Sequence, residues 1–215
     1  MTPEARRAAN EALLTQLGIP TNPDLLIIEG AGDTALRSED ELWRRLVALW
    51  GVVGAATLQQ NAFLKNYFSA GERRAWLSND EAAFLFNDTP DEGDAIRFSW
   101  RLEALYFLGW CAGLVEDLGL PVRASKVDAI LPLFPHDEGD ALMLRAAIRL
   151  RPKEDILDWA DRLVRMHWAV RDAQQHGREA PAGLNPGVVL EWHHAVNWMI
   201  RYKGEDDWDS VGTAT

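Results

Sequence analysis

The sequence predicts an all-α, single-domain fold, and three observations carry that expectation. Apolar residues recur at three- and four-residue steps, N-cap residues and prolines stand where those runs begin, and glycines stand where they stop. At 215 residues the chain is long enough for one domain that buries much of its unfolded surface, and cramped for two. About eight helices are expected around an apolar central one. The organisation expected is a single helical domain over residues 1–204 and an acidic, partly frayed tail over 205–215. The runner-up is an α+β fold with a small N-terminal hairpin near Leu25.

Taken in order, Thr2 and Pro3 read as the N-cap and first residue of a helix that Gly18 stops. Residues 19–37 carry Pro20, Pro23, Gly30 and Gly32 and read as a loop, with Leu25 to Ile28 extended in the α+β alternative. Gly30-Ala31-Gly32 lacks the strand, helix and lysine of a phosphate loop and is read as a turn. Ser38-Glu39-Asp40-Glu41 fits a capping box ahead of Leu42, Leu46, Leu49 and Val53, so a long helix is predicted to about Phe68. Ser78-Asn79-Asp80-Glu81 repeats the box before a short helix containing Ala82 to Phe86, and 87–93 reads as a polar loop.

Asp94 is expected to cap a helix reaching Leu118, closed by Gly119 and Pro121. With Phe98, Trp100, Leu102, Leu105, Phe107, Leu108 and Trp110 it is apolar nearly all round, and therefore central. Its Arg97, Arg101 and Glu103 each need a charged partner from another helix wherever they are buried, because an unpaired buried charge is very costly. Ser125 is expected to cap a short helix before Pro132, and 137–150 to form another that ends near Arg151. Pro152 suits the first position of a long helix in which Ile156, Ala160, Leu163, His167 and Val170 share a stripe up to Gly177. After a loop over 177–186, Asn185 and Pro186 begin a last helix expected to run to about Lys203, with Gly204 as its stop.

Composition narrows the function classes. A formal net charge of −11 repels phosphate backbones and anionic lipid, so neither nucleic acid nor a membrane surface is expected as a partner, whereas a basic protein partner is compatible. The apolar run from Ala104 to Val115 is shorter than the roughly 20 residues a membrane span needs. Cys111 is the only cysteine, which rules out an internal disulfide and fits a reducing compartment; its apolar neighbours suit core packing better than reactivity. No secretory signal is evident at the N-terminus, and the expected location is the cytoplasm. Ten tryptophans are many for this length, and are expected mainly in the core, the rest lining a pocket or an interface.

The residues able to carry chemistry concentrate on the last two long helices. Asp161, Trp168 and Arg171 fall near one stripe of the earlier helix, and His167 lies on its apolar side. Asp158 with Arg162, and Asp161 with Arg165, are i,i+4 pairs, which at a surface contribute only about 0.2–0.5 kcal/mol. Glu191-Trp192-His193-His194 on the final helix has the Glu-x-x-His spacing by which one helix offers a carboxylate and an imidazole to a metal ion, but in one copy only. His193 with Asn197, and His194 with Trp198, also share faces. The candidate cluster is thus Arg101, Glu103, Asp161, Arg165, His167, Trp168, Arg171, Glu191, His193, His194 and Asn197. Glu191, His194 and His167 are the metal-ligand candidates within it, although no cofactor is predicted and a structural network is the reading preferred. Asp207-Trp208-Asp209 reads as a solvated segment whose tryptophan docks back on the body, with ligand binding as the alternative. There is no Gly-x-Ser-x-Gly elbow, Walker loop or Cys-x-x-Cys pair.

Over most of its length the chain resembles the bacterial domain-of-unknown-function family forty-two seventy-two. The likeness lies in Leu17-Gly18-Ile19-Pro20, Arg37-Ser38-Glu39-Asp40-Glu41, Phe98 to Leu105, Glu154 to Asp158, Arg165 to Asp172, Gly187 to Met199 and Asp207-Trp208-Asp209. The resemblance implies a largely helical intracellular domain and brings no established activity. Trp192 stands where relatives are expected to carry an arginine, so a charge pair or anion contact at that position does not transfer. Two function classes stay open. The first is a protein-interaction module, accessory or immunity-like, with an acidic surface; the alternative is a metal-dependent enzyme or small-ligand binder with a site between the last two long helices.

Overall fold

The computed structural model describes all residues except Gln59, Gln60, Glu138 and Asp140, and of Asn61 the backbone. Helices α1 (Pro3–Gln16), α2 (Glu39–Leu58), α3 (Asn61–Ser69), α4 (Asn79–Phe86), α5 (Glu92–Ser99), α6 (Arg101–Cys111), α7 (Leu142–Ala147), α8 (Lys153–Gln175) and α9 (Pro186–Met199) are joined by loops and short 3₁₀ turns. Among the described residues there is no strand, and Leu25 to Ile28 form no ladder, so the fold is all-α and the hairpin alternative falls. α6 lies at the centre, packed between α2 and α9, with α5 also against α2; α8 packs on α9 and α1 on α8. The core is continuous, running from Leu46, Leu49 and Phe68 through Leu105 and Phe107 to Leu163, Val189 and Trp192.

Local chemistry sets most helix starts. The Thr2 hydroxyl accepts from Ala5 N–H, and the Asn185 carboxamide oxygen accepts from Gly187 and Val188 N–H. Both capping boxes form: Glu41 accepts from Ser38 N–H at 2.9 Å, Glu81 accepts from Ser78 N–H at 2.9 Å, and each serine hydroxyl accepts in return from its glutamate's N–H. Where α2 meets α3, Gly51 lets the Phe68 ring lie against the backbone, and a Cβ there would overlap that ring.

Several boundaries differ from the sequence reading, each for a tertiary reason. The helix expected from residue 38 to 68 appears as α2 and α3, and Gln59 and Gln60 between them lie outside the described residues. The helix expected from Asp94 to Leu118 is two helices that meet at Trp100, and the cap is Asp91, which accepts from Asp94 N–H at 2.7 Å. α6 stops at Cys111 because Gly113 turns left-handed at φ 74° and Arg151 donates to the carbonyls of Trp110, Val115 and Glu116. Ser125 caps no helix. Of the helix expected over 137–150 only α7 forms among the described residues, Glu138 and Asp140 lying outside them. α9 ends at Met199, four residues early, because Arg37 takes its final carbonyls: Arg37 N–H bonds Met199 O at 2.9 Å and Arg37 Nε bonds Trp198 O at 3.1 Å. The chain then turns through Arg201 and Lys203, both at positive φ, and folds back so that Trp208 and Val211 are buried.

Candidate functional site, an arginine and tryptophan cleft

The eleven candidate residues do not form one centre. Asp161 and Arg165 are not a surface pair: both are buried, with Arg165 donating to the Asp161 carboxylate at 2.7 and 3.1 Å. Asn10 of α1 donates to the same carboxylate at 2.9 Å, and Glu11 lies 3.3 Å from Arg165, so the group locks α1 onto α8. His167 and His193 join α8 to α9 through Nδ1 atoms 2.9 Å apart, their rings nearly perpendicular at 82°. That contact requires opposite roles, one ring donating and the other accepting. Burial, together with the Arg171 charge, lowers the His167 pKa to about 4, and burial with His167 and His194 nearby lowers His193 to about 3.

Arg101 meets the stated need for a charged partner, bonding Glu191 of α9 at 3.0 and 3.2 Å. Burial pushes the Glu191 carboxyl up while Arg101 opposes it. Glu103 does not follow that rule. Buried, it is satisfied by the Ser125 N–H at 2.9 Å and hydroxyl at 2.6 Å, neither of them charged. Asn197 donates to Gly212 O at 2.8 Å, holding the end of the returning segment. Trp168 is half-buried against the core and Arg171 is exposed. His167 faces His193, Glu191 faces Arg101, and the His194 ring lies against Trp208 with centroids 4.4 Å apart, so the three metal-ligand candidates point to different partners. Among the described residues no group of three or more His, Cys, Asp or Glu is gathered as a metal site.

A concave surface lies elsewhere. A cleft of about 780 Å³ opens where the start of α2, the 71–78 segment and the returning C-terminal segment meet. It is lined by Glu41, Arg44 and Arg45 of α2, by Arg74 and Trp76, and, on the C-terminal side, by Trp198, Asp206 and Trp208. Arg37 organises that last side: besides capping α9 it donates to the Asp206 carboxylate at 2.7 Å and to the carbonyls of Glu205 and Asp206. Glu41 is bonded by Ser38, Arg37 and Arg201; burial alone would raise its carboxyl, yet these partners hold it at about 2. Trp208 is the hinge between cleft and core. Its ring sits under the Arg45 guanidinium at 4.7 Å and near that of Arg101 at 5.6 Å, edge-on to Trp198 and His194. Burial, then Arg101 and Arg45, drive the His194 pKa down to about 3. Asp209 fixes the segment by accepting from Asp80 N–H at 2.9 Å.

Sequence reasoning passed over Arg37, Arg45, Glu81 and Trp76 as site residues. One signal was present: Arg45 lies three residues after Leu42 and four before Leu49, on the stripe that faces the core, and is buried in a salt bridge with Glu81. Among the described residues no helix is long and apolar enough to cross a membrane. No curated protein and no solved structure matches the chain. A family model described as a domain of unknown function (DUF4272) matches residues 6–211, nearly the whole chain, which therefore belongs to that family.

Proposed function

We propose that this protein is a cytoplasmic protein-interaction module that docks a segment of a partner protein in the arginine and tryptophan cleft. The observation that carries this reading is the cleft's composition: Trp76, Trp198, Arg44, Arg45 and Arg74 converge on one concavity. Tryptophan and arginine dominate the energetics of protein interfaces because they combine large contact area with directional donors. Most titratable groups singled out for catalysis on α8 and α9 are already engaged. Asp161 is held by Arg165 and Asn10, Glu191 by Arg101, and His167 by His193. The net charge of −11 favours a neutral or basic partner over a polyanion, because like charge slows encounter.

The test is a photoreactive side chain placed at position 74 on the cleft rim, compared with one at position 178, which does not line the cleft, both in the native host. A discrete adduct with one protein at position 74 and none at 178, lost when Trp76→Ala is added, is the expected outcome. Equal labelling at both positions, or an adduct indifferent to Trp76→Ala, would remove the cleft as the docking site.

A further inference from the structure

After α9 the chain reverses through a turn that its own residues do not favour. Arg201, Lys203 and Gly204 are all left-handed, at φ 49°, 58° and 72°. Glycine adopts that region freely, whereas an arginine or a lysine there brings its Cβ too close to the carbonyl that follows. No helix breaker stands between Met199 and Gly204, and Ile200, Arg201, Tyr202 and Lys203 would extend α9 by about one turn in ordinary helical geometry. Close packing does not enforce the reversal either: residues 200–203 border a cavity of about 230 Å³ that Leu26, Ile27 and Thr34 help to line.

Groups outside the turn hold it closed. Arg37 bonds the Met199 and Trp198 carbonyls, which in a longer helix would accept from Lys203 and Tyr202 N–H, so the Arg37 cap and a longer α9 compete for the same oxygens. Arg201 is tied to Glu41 and Asp206. Beyond the turn, the returning segment sits on the body much as a bound peptide would. Trp208 lies against the Arg45 guanidinium and the His194 ring, Asp206 accepts from Arg37, Asp209 accepts from Asp80 N–H, and Gly212 O accepts from Asn197. None of these contacts requires the segment and its seat to be joined through residues 200–204, so a second copy of the chain offers the same seat.

We infer that this face is an interface between two copies of the chain, formed by exchange: α9 runs on through Lys203, and residues 205–212 of each copy occupy the seat on the other. The contacts exchanged are those of the monomer. The gain is relief of the left-handed residues in both chains, set against the Arg37 bonds to α9 and the freedom lost on association. Short strained turns favour such exchange. The inference does not require the cleft to dock any other partner.

Sedimentation equilibrium of the full chain and of two turn variants tests it. At Gly204 a Cβ would meet nothing within 4 Å but would sit at φ 72°, so Gly204→Ala penalises the reversal alone. Lys203→Gly removes strain from the reversal and weakens the longer helix. Because each dimer relieves two turns, Gly204→Ala should lower the dimer dissociation constant about tenfold or more, and Lys203→Gly should raise it by a similar factor. The exchange itself is read by refolding together a chain carrying Asp80→Cys and one carrying Asp209→Cys and treating the dimer fraction with a short bismaleimide; the native Cys111 is buried. A cross-link between the two unlike chains is expected. A Gly204→Ala chain that stays monomeric at millimolar concentration, a dimer whose strength ignores both variants, or a dimer without the cross-link would overturn the inference. If Gly204→Ala does not fold, the unaltered chain and Lys203→Gly decide: no dimer in the former, or one equally strong in the latter, rejects the exchange.

Discussion

Two polar regions of this molecule are built from the same residue types and end in different surroundings, one between packed helices and one beside a cleft. Between α1, α8 and α9, Asp161, Arg165, Asn10, His167 and His193 are buried and bonded to one another across elements. In the cleft beside α2, Arg45 and Trp208 are equally buried, Arg45 paired with Glu81 and stacked on the Trp208 indole. The first arrangement fixes how α1, α8 and α9 sit; the second lines a concavity. A cluster of charged and aromatic residues in a sequence is therefore a weak guide to a site until its internal pairing is known.

Substitutions should separate the two regions by the size and kind of their effects. The largest is expected from Asp161→Ala, which leaves a fully buried Arg165 with only the more distant Glu11 as a charged partner and should cost about 3 kcal/mol in denaturant unfolding. If it costs under about 1 kcal/mol, the α1–α8 lock is not structural. Trp208→Ala should follow at about 3 kcal/mol from lost packing, while Trp208→Phe should retain most of the stability, because the ring remains.

A pH effect comes next. His167, His193 and His194 have native pKa values near 4, 3 and 3 against an ordinary 6.5, so the native state refuses protons that the unfolded chain accepts. Their contribution is complete above pH 6.5 and declines as the pH falls toward 3. Glu41, held at about 2, adds to the loss only below its ordinary 4.5. Melting temperature should therefore already fall between pH 6.5 and 4.5, and His193→Asn should flatten that part of the curve. A flat wild-type curve in that window would mean that the histidines are not held neutral. The smallest effect is at the cleft rim, where Arg74→Ala should change stability by no more than about 0.5 kcal/mol.

What the sequence made legible follows the range of the forces involved. The starts of α1, α2, α4 and α9 were readable because each cap reaches three residues or fewer, as from Ser38 to Glu41. The early end of α9 was not, because the group that caps it, Arg37, lies 161 residues away in the chain. The need of Arg101 for a charged partner was readable from its position on an apolar helix, and Glu191 meets it; that Glu103 would be satisfied by the uncharged Ser125 was not. His167 and His193 were both singled out, but their mutual contact depends on how α8 crosses α9. The cleft stayed hidden because it exists only once Trp208 returns to cover Arg45, although Arg45 on a core-facing stripe was a local sign of a buried charge.

The central claim, that the cleft binds and the histidine-linked helix pair holds the fold, is tested most directly by one paired measurement. Unfolding free energy and partner capture from position 74 are measured together for Trp76→Ala and for the His167→Gln, His193→Gln double variant. The account predicts that Trp76→Ala keeps most of the stability and loses capture, whereas the double variant loses stability and keeps capture in its folded fraction. Capture that survives Trp76→Ala but disappears from a stable, folded double variant would contradict it and return the site to the last two helices.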